Sequence, residues 1–117
     1  MSKIAIIDDD KGVIEALQAA LELWGHESVG IQDTQKVLLQ LKKFQPDIIF
    51  LDLLLSGVDG AQVTQTIRKE KKFAHTPIIL MSAHPTAKEI SQQIQVNGFL
   101  PKPFTLDALQ KLLTSLQ

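Results

Sequence analysis

The chain of 117 residues lacks cysteine and tyrosine, and aromatic residues make up only 5% of it. Without thiols it forms neither disulfides nor cysteine-ligated metal sites, and it has no cysteine nucleophile. No apolar run approaches the roughly 18 residues of a membrane span, and none resembles the apolar region of a signal peptide. The 12 basic and 13 acidic residues give a net charge of −1, without the basic excess typical of nucleic-acid-binding domains. We therefore expect a cytoplasmic protein that itself binds neither membrane nor nucleic acid.

The length and a hydrophobic content of 44% fit one domain with an ordinary core. No repeat, low-complexity tract or linker divides the sequence. We therefore expect residues 1–117 to form a single domain, and the sequence leaves open whether it stands alone or belongs to a longer protein.

Short apolar runs alternate along the chain with longer segments of helical apolar spacing. The predicted strands are Lys3 to Asp8, His26 to Ile31, Asp47 to Leu51, Pro77 to Ser82 and Gly98 to Leu100. The first, third and fourth are almost uniformly apolar, which is typical of strands buried on both faces. Five apolar stripes mark the predicted helices: Val13 to Trp24, Val37 to Phe44, Val63 to Ile67, Ile90 to Ile94 and Leu109 to Leu116. This alternation predicts an α/β fold, with a doubly wound parallel sheet.

Residues between the apolar segments predict where helices begin and end. Asp10 is expected to cap the first helix, Asp59 the third, and Thr86-Ala87-Lys88-Glu89 has the spacing of a capping box. Gly98 stands where a helix should stop, and Arg68 to Lys72 is interpreted as the solvated end of a helix.

Polar side chains follow the predicted strands at their carboxyl ends, where open α/β sheets bind their ligands. Asp8 and Asp9 follow the first strand, Asp52 the third, Ser82 ends the fourth, and Lys102 follows the fifth. Crowded carboxylates repel each other unless a cation lies among them, and such oxygen ligands favour Mg²⁺.

A lysine and a hydroxyl beside such a cation would suit a group with several anionic oxygens. A phosphoryl group fits best, and without a thiol or a serine–histidine arrangement the nucleophile would be a carboxylate. Asp52 is the candidate because it stands alone at the end of a central strand.

The chain resembles the receiver domains of bacterial response regulators over its whole length. The resemblance is carried by Ile4-Ala5-Ile6-Ile7-Asp8-Asp9, Ile48-Ile49-Phe50-Leu51-Asp52, Asp59-Gly60, Ile78-Ile79-Leu80-Met81-Ser82-Ala83 and Lys102-Pro103-Phe104. It implies the flavodoxin-like (βα)5 fold with strand order 2-1-3-4-5. It also implies a cis peptide bond between Lys102 and Pro103.

The resemblance also implies roles for individual residues. Asp52 would be the phosphoacceptor, and Mg²⁺ would be bound by Asp9, Asp52 and the backbone carbonyl of Leu54, with Asp8 acting through water. Lys102 would stabilise the phosphoryl group. Ser82 and Phe99 would form the switch, in which the hydroxyl turns toward the phosphoryl oxygen and the aromatic ring changes rotamer.

The implied partners are those of two-component signalling. The phosphodonor would be a sensor histidine kinase or a phosphotransfer protein, and the output a downstream protein or a fused output domain. The domain would be a monomer or a phosphorylation-dependent dimer. It would not be an enzyme, apart from phosphorylating and dephosphorylating its own Asp52.

Two other functions are weighed against this one. A Mg²⁺-dependent phosphatase of the haloacid dehalogenase type would need a second acid two residues after Asp52, where this chain has Leu54. A receiver-like interaction module with little phosphorylation would not need the five site residues.

Leu54 also replaces the side chain that is often polar in the family, which predicts a long-lived phosphoryl group.

Overall fold

The structure is a computed structural model that describes residues 2–55 and 57–116, except for the side chain of Leu54. The strands are β1 (Lys3–Ile7), β2 (Glu27–Ile31), β3 (Ile48–Asp52), β4 (Leu54–Leu55), β5 (Val58–Asp59), β6 (Ile78–Ser82) and β7 (Gly98–Pro101). The α-helices are α1 (Lys11–Leu23), α2 (Val37–Phe44), α3 (Gly60–Lys69), α4 (Ala87–Ser91) and α5 (Leu106–Ser115). Short 3₁₀ helices lie at Thr34–Lys36 and Lys71–Phe73. Among the described residues, no helix has the length and apolar character needed to cross a membrane.

Five strands form one parallel sheet in the order β2-β1-β3-β6-β7. Counting only these long strands, this is the order 2-1-3-4-5, so the predicted fold is confirmed. In β3 and β6 every residue is buried, and in β1 only Lys3 is not, as uniformly apolar strands require.

Helices cover both faces of the sheet, because alternate side chains of each strand point to opposite sides. On one face, Ile6 and Phe50 pack against α1 and α5. On the other, Ile7 and Leu51 pack against α2 and α3. Two cores thus hold the carboxyl ends of the central strands in place.

A two-stranded antiparallel hairpin, β4–β5, connects β3 to α3 and was not predicted. Leu54 pairs with Asp59 and Leu55 with Val58, and Leu55 is buried. Two residues are too few to show a strand period, so the sequence pattern carried no signal for it.

The predicted end of the fourth helix was wrong, and the capping box predicted at its start does not form. Thr86 stands at the N-cap of α4, but its side chain makes no capping hydrogen bond to the helix. α4 ends at Ser91, before Ile94, which packs partly buried against the cluster of Leu53, Leu80 and Ala87. Gly98 therefore does not end a helix, but it begins β7, as the predicted strand from Gly98 to Leu100 requires. By contrast, Asp10 does cap α1, because its carboxylate accepts the N–H groups of Gly12 and Val13.

Arg68 is not a solvated helix end, as the basic run had suggested. Its guanidinium donates to the carbonyls of Phe73, Thr76 and Gln95 and to Oδ1 of Asn97, at distances of 2.6–3.0 Å. The side chain therefore ties the end of α3 to the segments that lead into β6 and β7.

Candidate functional site

Three carboxylates meet where β1 and β3 end side by side. One oxygen each from Asp8, Asp9 and Asp52 lies within 4.8 Å of the others. Asp8 has no exposed surface and Asp52 is 7% exposed, whereas Asp9 is exposed. The pairing of β1 with β3 creates this cluster, since the two strands run parallel and end at the same edge.

Asp8 is held on three sides. Its backbone N–H donates to the carbonyl of Ile31 at 3.1 Å, which continues the β1–β2 ladder. Its Oδ1 accepts the N–H of Asp10 at 2.9 Å, and its Oδ2 accepts Lys102 Nζ at 2.7 Å. A buried carboxylate with these partners has a fixed orientation.

Lys102 reaches the carboxylates from the end of β7. Its backbone N–H donates to the carbonyl of Ser82 at 2.9 Å, and the Lys102–Pro103 peptide bond is cis, as the resemblance implies. Its Nζ lies 2.7 Å from Asp8 Oδ2 and 3.2 Å from Asp52 Oδ1. One ammonium group thus bridges two of the three carboxylates.

The charges of the site perturb its ionisable groups. Burial and the charge of Asp8 raise the pKa of Asp52, although Lys102 acts in the opposite direction. Burial by itself would lower the pKa of Lys102, but the hydrogen bond to Asp8 and the charge of Asp52 outweigh it, so the pKa is raised. The lysine therefore stays charged at neutral pH.

This donor set fits a hard divalent cation. Carboxylate oxygens are the ligands that Mg²⁺ prefers, and Mg²⁺ keeps part of its water shell in protein sites. Asp8, Asp9 and Asp52 bring their oxygens close enough for one ion to be shared, directly or through water. The residues present are therefore suited to Mg²⁺.

Gly60 shapes the backbone around Asp52, a role that sequence reasoning missed. A Cβ at Gly60 would lie 2.6 Å from the carbonyl oxygen of Asp52 and 2.8 Å from that of Leu53. The Gly60 N–H donates to the Leu53 carbonyl at 2.7 Å. The only signal was the Asp59-Gly60 dipeptide, which reads as an ordinary turn. Glycine allows the start of α3 to contact the backbone that carries Asp52.

The two predicted switch residues lie in different surroundings. Ser82 ends β6 at this edge, is 4% exposed, and its Oγ accepts the N–H of His84 at 2.9 Å. Phe99 lies in β7 and packs, partly buried, against the cluster of Leu53, Leu80 and Ala87 below α4. The structure therefore brings Ser82 to the edge with the carboxylates and places Phe99 on the α4 side.

Leu54 stands two residues after Asp52, in the hairpin. Its backbone pairs with Asp59. Its side chain lies outside the described residues, and its carbonyl as a metal ligand stays a prediction.

A mostly apolar groove of about 650 Å³ opens beside Lys102. It lies between the first turns of α1 and the segment from β7 to α5, and its lining includes Val13, Ala16, Lys102, Phe104 and Leu106. Leu106 is 56% exposed, a high value for a leucine next to an apolar groove. The groove therefore places an exposed apolar surface next to Lys102.

Comparison with known proteins agrees with the family resemblance of the sequence. The family model described as the response regulator receiver domain matches residues 4–114. The sensory transduction protein BceR of Halalkalibacterium halodurans is 31% identical over 111 residues, which cover 93% of this chain and 47% of BceR. The chain thus spans about half the length of the curated relatives it matches.

Solved structures show the same architecture. The chemotaxis protein CheY4 of Vibrio cholerae superposes with a TM-score of 0.91 at 24% identity, covering 100% of this chain and 99% of CheY4, which bears on the fold alone. The receiver domain of sensor histidine kinase PA1611 from Pseudomonas aeruginosa has a TM-score of 0.88 at 25% identity, covering 98% and 96% of the two chains. That domain holds a magnesium ion in its active-site cleft. Because the family model matches residues 4–114, which is nearly the whole chain, this chain belongs to the response regulator receiver domains, the phosphoryl acceptors of two-component systems.

Proposed function

We propose that this domain takes a phosphoryl group onto Asp52 in a reaction that requires Mg²⁺. The observation that carries the proposal is the cluster of Asp8, Asp9 and Asp52 oxygens within 4.8 Å, with Lys102 Nζ 3.2 Å from Asp52 Oδ1. Transfer of a phosphoryl group to a carboxylate needs the nucleophilic carboxylate itself, a cation site and a lysine, and residues suited to all three are present here.

The proposed step is a displacement at phosphorus. An oxygen of Asp52 attacks the phosphorus of a phosphohistidine, so that an O–P bond forms while the P–N bond breaks. The imidazole leaves and takes up a proton from solvent. Lys102 and the Ser82 hydroxyl donate hydrogen bonds to the phosphoryl oxygens, which carry most of the charge in such transfers.

Mg²⁺ would be held by Asp9, Asp52 and the Leu54 carbonyl, with Asp8 acting through water. When bound, it neutralises phosphoryl charge beside the attacking carboxylate. Asp8 keeps Lys102 in place and charged until a phosphoryl group competes for the ammonium.

The groove beside Lys102 supports a protein phosphodonor. A sensor histidine kinase or a phosphotransfer protein must present its phosphohistidine at Asp52, and an apolar surface next to the site allows its helix to dock. Such donors and their receivers meet in the cytoplasm.

We further propose that residues 1–117 form one domain, whose output is a downstream protein or an output domain of a longer regulator. Phosphorylation would change the surface around α4 and β7, where Phe99 lies, with a monomer or a phosphorylation-dependent dimer as the signalling form. Self-phosphorylation and self-dephosphorylation at Asp52 would be the domain's own chemistry.

The test is incubation with acetyl phosphate and MgCl₂, followed by intact mass. We expect one phosphoryl group on the wild type and on Asp33→Asn, a control at an exposed aspartate outside the site. Asp52→Asn and wild type in EDTA should take up none. If Asp52→Asn were labelled as fully as the wild type, the assignment of Asp52 would be wrong.

A further inference from the structure

His84, in the connection between β6 and α4, is exposed but held by hydrogen bonds on three sides. Its backbone N–H donates to Ser82 Oγ at 2.9 Å, and its carbonyl accepts the N–H of Ala87 at 3.1 Å. Its ring Nδ1 lies 3.2 Å from the backbone N of Thr86 and 2.9 Å from Thr86 Oγ1. Hydrogen bonds of His84 therefore join the end of β6, at Ser82, to the start of α4, at Thr86 and Ala87.

The contacts of Nδ1 decide its role. A backbone N–H can only donate, so Nδ1 accepts from Thr86, and the neutral ring carries its proton on Nε2. The Thr86 hydroxyl then donates to the same nitrogen. This use of the hydroxyl also explains why Thr86 makes no side-chain cap on α4.

The His84 N–H in turn restricts the Ser82 hydroxyl. A serine hydroxyl has one proton to donate and two lone pairs that accept. The N–H of His84 occupies one lone pair, so the O–H proton remains available to a further acceptor. Ser82 is only 4% exposed and lies at the edge of the sheet that carries Asp52, where that acceptor would be a phosphoryl oxygen.

We propose that His84 and Thr86 are positioning residues for phosphoryl transfer to Asp52, acting through the hydroxyl of Ser82. Thr86 holds the His84 ring, the ring fixes the connection, and the His84 N–H then orients Ser82 Oγ so that its proton is free for the phosphoryl group. This inference rests on the proposed function, since it assumes that Asp52 is the phosphoacceptor.

The chain offers matched variants for a test. Asparagine places its Oδ1 near the position of the histidine Nδ1, whereas glutamine reaches toward the position of Nε2. The measured quantity is the rate constant of phosphorylation by acetyl phosphate at saturating Mg²⁺. We expect His84→Ala and His84→Gln to lose about fivefold, the factor that one net hydrogen bond corresponds to, and His84→Asn to retain nearly the wild-type rate.

Thr86 is tested in the same way. Thr86→Val keeps the shape and the backbone N–H but removes the hydroxyl, so the rate should fall about twofold to threefold, while Thr86→Ser should retain it. In a Ser82→Ala background, His84→Ala should cause no further loss, because its effect passes through the missing hydroxyl.

A second readout does not depend on phosphorylation. Hydrogen exchange of the His84 backbone amide in the unphosphorylated protein should be fastest in Ser82→Ala, faster than wild type in His84→Gln, and close to wild type in His84→Asn. A rescue by glutamine but not by asparagine would overturn the proposal, because it would mean that Nε2 acts at the site directly. An undiminished effect of His84→Ala in the Ser82→Ala background would overturn it as well. A wild type that takes up no phosphoryl group would overturn the proposed function itself, whatever the amide exchange shows.

Discussion

Lys102 Nζ lies closer to Asp8 Oδ2, at 2.7 Å, than to Asp52 Oδ1, at 3.2 Å. The family resemblance implies that Lys102 stabilises the phosphoryl group. The same lysine also balances the charge of Asp8, a carboxylate with no exposed surface. A charge buried in this way is costly without a partner. The same ammonium thus contributes to stability as well as to the chemistry proposed for the site.

Replacing Lys102 by methionine, which keeps most of its length, should destabilise the fold. Asp8 would keep the N–H of Asp10 but lose its cation, and we expect the free energy of unfolding in EDTA to fall by about 2 kcal/mol in urea titrations. Mg²⁺ should reduce this loss, because it would supply positive charge to the same carboxylates.

The control is Lys111→Met. Lys111 lies 3.5 Å from Asp107 on the surface of α5, with side chains 80% and 79% exposed. Its loss should cost less than about 0.5 kcal/mol. Equal losses in the two variants would show that burial of Asp8 does not give Lys102 its importance.

Asp52→Asn should stabilise the protein in EDTA while it abolishes phosphorylation. Burial and the charge of Asp8 raise the pKa of Asp52, so the folded state disfavours the ionised carboxyl at neutral pH. Asparagine removes that charge with little change in shape. At about pH 7.5 the carboxyl group of an unfolded aspartate is ionised. Urea unfolding at this pH should show a higher midpoint for the variant than for the wild type.

The effect of Asp52→Asn should also depend on pH in a defined direction. The folded pKa lies above the unfolded value of about 3.9, so the cost of ionising Asp52 is absent below that value and complete above the folded pKa. The advantage of asparagine should therefore shrink as the pH falls toward 4 (about the unfolded pKa). An advantage that stays constant over this range would contradict the raised pKa.

Mg²⁺ should raise the thermal midpoint of the wild type, since it would bind the folded state alone. At about one hundred times its dissociation constant, a ligand of this kind stabilises by about 2.7 kcal/mol. Asp9→Ala should require much more Mg²⁺ for the same shift, while Glu15→Gln, at an exposed acid on α1, should respond like the wild type. If Asp9→Ala responds at wild-type concentrations, Asp9 is not a ligand.

Leu54→Asn should shorten the lifetime of the phosphorylated protein. Hydrolysis needs a water aligned with the phosphorus, and an amide at this position can orient that water whereas leucine cannot. We expect the amide to speed hydrolysis by up to about 10²-fold. Loss of phosphoprotein is followed after the donor is removed. Leu54→Ala separates access from hydrogen bonding, because it opens the position without adding a polar group. Decay of Leu54→Asn no faster than that of Leu54→Ala would contradict the prediction.

The strand ends were predictable because their signals are local. Uniformly apolar runs mark β1, β3 and β6 as central strands, and parallel strands end at a common edge, so Asp8 and Asp52 were expected at the same edge. The strand order that the resemblance implies puts β1 beside β3, and the structure confirms this pairing. The N-cap at Asp10 depends only on residues two and three positions away. The functional roles of the site residues stay predictions, because they depend on a cation and a phosphoryl group.

Residues with several possible partners were not predictable in this way. Thr86 has the sequence of a capping residue, but its hydroxyl contacts His84. Arg68 and Lys69 look alike in the basic run, yet Arg68 is partly buried against distant carbonyls and Lys69 is exposed. Each choice depends on where segments far apart in sequence come to lie.

The sequence pattern by itself determined the strands, the layers of helices and the edge that collects the acidic residues, because hydrophobic period and strand-end polarity act over a few residues. The order of the strands was predicted only from the family resemblance. Only the tertiary structure decided how far Lys102 Nζ lies from the carboxylates of Asp8 and Asp52, and how closely Gly60 approaches the Asp52 backbone. Lys102 and Asp8 are 94 residues apart in the chain. Distances between such residues are set by the packing of β7 and α3 against the rest of the fold, which no local pattern encodes.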